Sequence, residues 1–222
     1  GNDFATFPDY PSEIRAPHNT ISGVSGFQIH FGQKPVHSSG DIADVLVAMN
    51  PASLRANLKN LKPGGTLIID ADTFIDKAIE KAGYEENPLE NDSLKEYHLI
   101  AAPISKLTKE SVSDLGLDNK VALKSRNMFA LGITYFLFNR EFEPTDKFFE
   151  KKFGKNPVIV EANKKVLRSG YIYAESVAAS ATTYTVQPAK VEKGTYRNIT
   201  GNIATAWGFL AAAERSGREL YL

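Results

Sequence analysis

Residues 27–31 (FQIHF) alternate apolar and polar side chains, the period-two pattern of a half-exposed strand. Phe4 to Phe7 reads as a strand already under way, and Pro8, Pro11 and Pro17 with Gly23 and Gly26 predict a loop over residues 8–26. Residues 44–49 (DVLVAM) are a nearly continuous apolar run, which predicts a parallel-sheet strand buried on both faces. Asn50-Pro51 then opens a helix, because proline suits the first helical position, and Leu54, Leu58 and Leu61 supply its apolar stripe. Pro63-Gly64-Gly65 stops that helix, and TLIID (66–70) reads as a second buried strand.

Strand, helix, tight turn and strand make a βαβ unit, for which a right-handed crossover is nearly obligatory. A helix over 74–82 and a strand over 97–102 (YHLIAA) continue the alternation. From Thr108 onward the pattern turns helical. Residues 123–138 put Met128, Leu131, Tyr135 and Phe138 on one face, and two more helices follow over 145–153 and 157–180. The predicted fold is α/β: a doubly wound, mostly parallel, Rossmann-like sheet with a helical C-terminal subregion. Residues 181–198 are polar and aperiodic and read as a linker after a first domain over 1–180. Residues 199–222 begin again, with an Ala-rich helix from Ala204 to Ser216 and a strand from Arg218 to Leu222. On this pattern both ends read as cut.

Composition narrows the chemistry. The 222 residues balance 26 Lys+Arg against 26 Asp+Glu, so neither a nucleic-acid footprint nor a polybasic membrane anchor is expected. No stretch approaches the ~18 consecutive apolar residues of a membrane span, and the N-terminus lacks the basic start and apolar core of a secretory signal. A cytoplasmic protein is expected. The chain has no cysteine, so it can supply no disulfide, thiol nucleophile, Cys-ligated zinc or conventional iron–sulfur cluster.

Several motifs invite a specific function. The order helix, Pro-Gly-Gly, apolar strand occurs in S-adenosylmethionine-dependent methyltransferases, but the chain contains no GxGxG, and a tight turn explains the glycines without a ligand. A nicotinamide reading fails for want of GxGxxG. The Pro-framed loop YPSEIRAPHNTISGVSGF places Glu13 and Arg15 between two strands. Arg15 can grip a carboxylate or phosphate with two parallel hydrogen bonds, and His18 and Asn19 add polar groups. A surface loop closed by a Glu13–Arg15 contact is the plainer alternative. Asn50 lies at the carboxyl end of a strand, where α/β sheets bind ligands, though capping of the next helix is its first expected role. Asp70 and Asp72 can reach a magnesium ion or a ribose hydroxyl, but Asp72 is read first as the start of the helix over 74–82. The four histidines, His18, His30, His37 and His98, show no metal-ligand spacing, and none is expected to hold a metal. Trp207 is read as a packing residue of the Ala-rich helix.

Taken in order, YPSEIRAPHNTISGVSGFQIHFG, DVLVAMNPASLRANLKNLKPGGTLIID, KSRNMFALG and EANKKVLRSGY resemble the 2-oxoacid:ferredoxin oxidoreductases over about residues 3–180. The likeness is to the gamma-type domain fused ahead of the alpha domain in 2-oxoglutarate-type enzymes. The resemblance implies a first strand and Gly-rich turn upstream of Asn2, and reads 199–222 as the opening of the alpha domain, the pyrimidine-type domain of thiamine diphosphate enzymes. It also implies a cytoplasmic, oligomeric complex that oxidatively decarboxylates a 2-oxoacid to an acyl-CoA and passes electrons to ferredoxin. Thiamine diphosphate–Mg²⁺ and the iron–sulfur clusters would sit on the remaining alpha domain, the beta subunit or other partners, since this chain has neither Gly-Asp-Gly nor cysteine. The gamma domain would cap the cleft and help form its CoA side, with Glu13, Arg15 and Asn50 as the candidate contacts, and Lys62, Lys124 and Arg126 available for CoA phosphates. No catalytic residue is assigned, and the isolated chain is expected to be inactive. A non-catalytic interaction module of an oxidoreductase complex is the rival reading, and a methyltransferase the third.

Overall fold

A computed structural model describes residues 3–9, 24–177, 183–190, 192, 194, 195, 197 and 199–219. The chain divides into two units, Gly1–Ala189 and Lys190–Leu222. In the first, β1 (Asp3–Asp9) and β2 (Gly26–Gly32) form an antiparallel ribbon in which Phe4 faces Phe31 and Thr6 faces Ile29. A separate three-stranded parallel sheet has the order β3 (Ala43–Ala48), β4 (Leu61–Asp70), β5 (His98–Ala102).

That sequential order decides where the helices go. Crossovers of one hand that advance in one direction leave their helices on one face of the sheet. Accordingly α1 (Pro51–Asn57) and α2 (Asp76–Lys81) share a face, where Leu54 and Ile79 pack with Ala48, Leu67 and Ile69. The opposite face, carrying Ile68, Ile100 and Ala102, is covered by the later helices. These are α3 (Ile104–Ser111), α5 (Arg126–Leu137) and α7 (Pro157–Val177), with the short α4 (Asn119–Ala122) beside them and α6 (Glu143–Phe153) against α7. The α/β class, the parallel strands and the helical cover on both faces are as the pattern predicts.

Three local expectations need correction. First, β3 is not buried on both faces: only Ala48 is buried, and Val47 is 38% exposed. β3 and β5 are the edges of the sheet, and only the central β4 is buried throughout residues 66–70. Second, Pro63-Gly64-Gly65 is not a turn between elements but an irregularity within β4, where the register shifts between the Ala43–Leu61 and Val45–Thr66 pairs. Gly64 supplies the positive φ of +71° that this detour needs, and its N–H donates to the Glu96 carbonyl at 2.9 Å. The motif lies at the amino end of β4, away from the ligand-binding edge of a parallel sheet, so the methyltransferase reading has no support. Third, Arg218 and Glu219 are not in a strand, and Leu220 to Leu222 lie outside the described residues.

The largest helix contact is between α5 and α7. Their backbones cross where Gly132 and Gly170 face each other's helices: a methyl group on Gly170 would stand 2.0 Å from the Phe129 carbonyl oxygen, and one on Gly132 2.1 Å from that of Leu167. Phe129, Ile133, Val166 and Ala174 fill the core around this crossing. Downstream, in the stretch read as linker, Tyr184 stacks on Phe138 at 4.9 Å and hydrogen-bonds the Thr66 hydroxyl at 3.1 Å. The second unit contains α8 (Gly201–Ser216), capped by Thr200 and ended by Gly217, with no buried residue. Trp207 is 49% exposed there, so it is not a packing residue of this unit.

Candidate functional site

The carboxyl edge of a parallel sheet is the usual ligand edge of an α/β fold. Here it is formed by Asn50 after β3, Asp70 to Thr73 after β4, and Pro103 to Lys106 after β5. Asn50 is the N-cap of α1: its side-chain oxygen accepts from the Ser53 N–H at 2.8 Å, and the Asn50 N–H donates to the Ser53 hydroxyl oxygen at 3.2 Å. This reciprocal arrangement satisfies two donors that the first turn leaves unpaired. It engages the carboxamide oxygen of Asn50 and leaves ligand contact to the amide nitrogen.

Asp70 is fully buried at the end of the central strand. One carboxylate oxygen accepts the Ser105 N–H at 3.2 Å and the other accepts the Ser105 hydroxyl at 2.7 Å. Burial raises its pKa above 3.8, while the bonds from Ser105 and the charge of Arg126 oppose the rise. Asp72 accepts the Lys106 N–H at 2.6 Å. The two aspartates therefore cap the start of α3, thirty-odd residues away, and Asp72 does not open α2 as expected; α2 begins only at Asp76. The Thr73 hydroxyl reaches the carbonyls of Asp70 at 2.8 Å and Met49 at 3.2 Å, joining the ends of β3 and β4. A carboxylate at a helix start complements the positive end of the helix dipole. It also fills the N–H groups that a phosphate would otherwise use.

The other candidates are dispersed. Glu13 and Arg15, with His18 and Asn19, lie outside the described residues. Lys62 is paired with Asp44 at the amino end of the sheet, and that hydrogen bond is the main cause that raises its pKa. Lys124 is exposed, and the charge of Arg126 works against the rise of the Asp70 pKa. His98 is exposed at the start of β5, and the His30 ring bonds the Ser38 carbonyl at 2.6 Å. The chain has no cysteine, and among the described residues no three His, Asp or Glu side chains are grouped to hold a metal. Without cysteine there is no thiolate for an iron–sulfur cluster, and among the described residues no carboxylates are grouped for the magnesium of a thiamine diphosphate. Ser105 escaped the sequence reading: no local motif marks it, because its partner Asp70 is thirty-five positions away and only the strand order joins them.

Fold and edge together define an α/β domain with an internally wired carboxyl edge. The model of the family described as pyruvate ferredoxin/flavodoxin oxidoreductase matches residues 1–173, and the chain belongs to that family. All 222 residues align at 42% identity with the 2-oxoglutarate oxidoreductase subunit KorA of Mycobacterium tuberculosis, covering 34% of that protein. Among solved structures, the chain is similar to the 2-oxoglutarate:ferredoxin oxidoreductase of Magnetococcus marinus, solved with 2-oxoglutarate, coenzyme A and succinyl-CoA bound. The TM-score is 0.60 at 22% identity, over 86% of this chain and 28% of that one. It is also similar, at a TM-score of 0.48 and 20% identity over 79% of this chain and 82% of the other, to a keto/oxoacid ferredoxin oxidoreductase gamma subunit from Geobacter sulfurreducens. The chain thus spans about a third of the length of the curated relative it matches. Among the described residues no helix is long and apolar enough to cross a membrane.

Proposed function

We propose that the chain is the gamma-type part, with the opening of the alpha domain, of a cytoplasmic 2-oxoglutarate:ferredoxin oxidoreductase. The observation that carries this reading is the 42% identity to KorA, which runs the full 222 residues and crosses the boundary between the two units. Residues 1–180 would form the gamma domain, 181–198 the linker and 199–222 the start of the alpha domain. A separate unit from Lys190, and a helix α8 that exposes Ile203, Trp207 and Leu210 on one side, support that division. A helix with this much exposed apolar surface is covered in a finished assembly.

In this role the chain does no covalent chemistry. Thiamine diphosphate, bound on partner domains, would supply the decarboxylation chemistry, and this chain would cap the cleft and keep water out while CoA approaches. Glu13 and Arg15 would meet CoA at the cleft: the guanidinium binds its phosphates in bidentate fashion and Glu13 orients it. Asn50, with its oxygen committed to α1, would offer its amide N–H. The remaining alpha domain, the beta subunit and ferredoxin are the partners, and the complex is oligomeric.

The test is turnover of the complete complex, followed as 2-oxoglutarate- and CoA-dependent reduction of ferredoxin. Arg15→Ala should raise the KM for CoA about tenfold or more with kcat largely kept, as for loss of a ground-state contact to phosphate. An unchanged KM would remove Arg15 from the CoA site. Turnover by the 222-residue chain without partners would overturn the whole assignment.

A further inference from the structure

Outside the carboxyl edge, the end of β2 and the residues that follow it build a recess in which a few nitrogen groups stand on a largely apolar lining. It is an open depression of about 450 Å³, lined by His30, Gln33, Lys34, His37 and Ser38 among others. None of the described residues lining it is acidic. Its shape is held from β2. The Gln28 side-chain amide donates to the Ser39 carbonyl at 2.7 Å, and the His30 Nδ1 meets the Ser38 carbonyl at 2.6 Å. From the other side of the strand Phe31 packs edge-on against Phe138 at 5.1 Å, so the floor of the recess is tied to the end of α5.

The Ser38 contact has a chemical consequence. A carbonyl only accepts, so the His30 Nδ1 must carry the proton. The other ring nitrogen, Nε2, then carries no proton in the neutral ring and accepts rather than donates, so His30 shapes the recess. The nitrogen donors of the recess come from His37 and Lys34, with an amide from Gln33. Such a set, without a carboxylate among the lining residues, suits a compact multivalent anion.

We propose that this recess is a phosphate-binding site, in which Lys34 and His37 hold one terminal phosphate group above the His30 ring. The ligand class is a phosphomonoester or free phosphate. The proposal is independent of the assembly assigned above, since it uses only residues 28–39 and needs no partner.

The 222-residue chain, labelled at the histidine ring nitrogens, is titrated first with inorganic phosphate and then with adenosine 3′,5′-bisphosphate, ionic strength being held with chloride. Saturable shifts of the His30 and His37 rings are expected, with binding weakened about tenfold by Lys34→Ala or His37→Ala, the loss of one charge-assisted hydrogen bond. Melting temperatures of the variants, which alter exposed loop residues, should stay within about 1 °C of the parent. Saturation by both ligands marks the phosphate group itself as what is read. Saturation by the bisphosphate alone, still weakened by Lys34→Ala, marks a nucleotide-borne phosphate. Shifts that stay linear, that fall only on His18 or His98, or that both variants share unchanged with the parent would overturn the site.

Discussion

The α5–α7 crossing sets the sharpest demand on sequence. In Gly170→Ala the new methyl carbon would stand 2.0 Å from the Phe129 carbonyl oxygen and under 3 Å from two more backbone atoms of that residue. An ordinary contact needs roughly 3.4 Å, so the helices must part by about 1 Å or more along that line. A flexible side chain could swing aside; a helix backbone cannot. Parting them loosens Phe129, Ile133 and Val166, which are at most 1% exposed around the crossing. Overpacking of this kind costs typically 1–3 kcal/mol. Because the obstacle is backbone, about 3 kcal/mol is expected, which for a domain of this size lowers the melting temperature by about 6–12 °C. Thermal unfolding of the 222-residue chain, followed by far-UV circular dichroism, measures it. Gly208→Ala is the control: nothing lies within 4 Å of its added methyl. There the replacement should strengthen α8 by about 0.5–1 kcal/mol. A Gly170→Ala protein that melts within 1–2 °C of the parent would refute the close-crossing argument.

Two further outcomes follow from the carboxyl edge. Asn50→Ala removes the cap of α1 and should cost about 1 kcal/mol, read as a fall in urea midpoint with an unchanged slope; no change would show the cap to be energetically idle. Asp70 behaves differently with pH. Burial lifts its folded pKa above 3.8, so the folded state keeps this proton when the unfolded chain has lost it. Its contribution to stability is therefore full below pH 3.8 and is lost as pH rises through the raised value. Asp70→Asn should abolish that decline, and parallel stability–pH curves for the two proteins between about pH 3 and 7 would refute the assignment.

How far the fold was legible follows from the range of the interactions. The strand–helix–strand order, the N-cap at Asn50 and the long helices rest on neighbours in sequence, and these appear as read. What failed was set by distant partners. DVLVAM has the composition of a central strand, yet among the described residues β3 pairs with β4 alone, and it exposes Val47. Asp72 sits two residues before the helical pattern over 74–82, yet its carboxylate serves α3, because strand order puts the ends of β4 and β5 side by side. Tyr184 lies in a polar stretch with no period, and distant partners give it a place: the Phe138 ring, the Thr66 hydroxyl and the carbonyls of Leu137 and Asp44. The candidate site was legible in part for the same reason: Asn50 could be read locally, whereas nothing near Ser105 announces its bond to Asp70.

That wiring bears on where a phosphate-bearing substrate can be held. The default anion site of an α/β sheet is a helix N-terminus at the carboxyl edge. Here α1 is capped by Asn50 and Ser53, and the Ser105 and Lys106 amides in the first turn of α3 are taken by Asp70 and Asp72. An incoming phosphate would have to displace two carboxylates of its own sign. At the starts of α1 and α3 the domain's own side chains thus occupy amides that a phosphate would use. Under the proposed function the Arg15 loop has the chemistry for the phosphates of CoA and Asn50 only an amide, so the KM for CoA of the Arg15→Ala complex is the sharper test of that proposal.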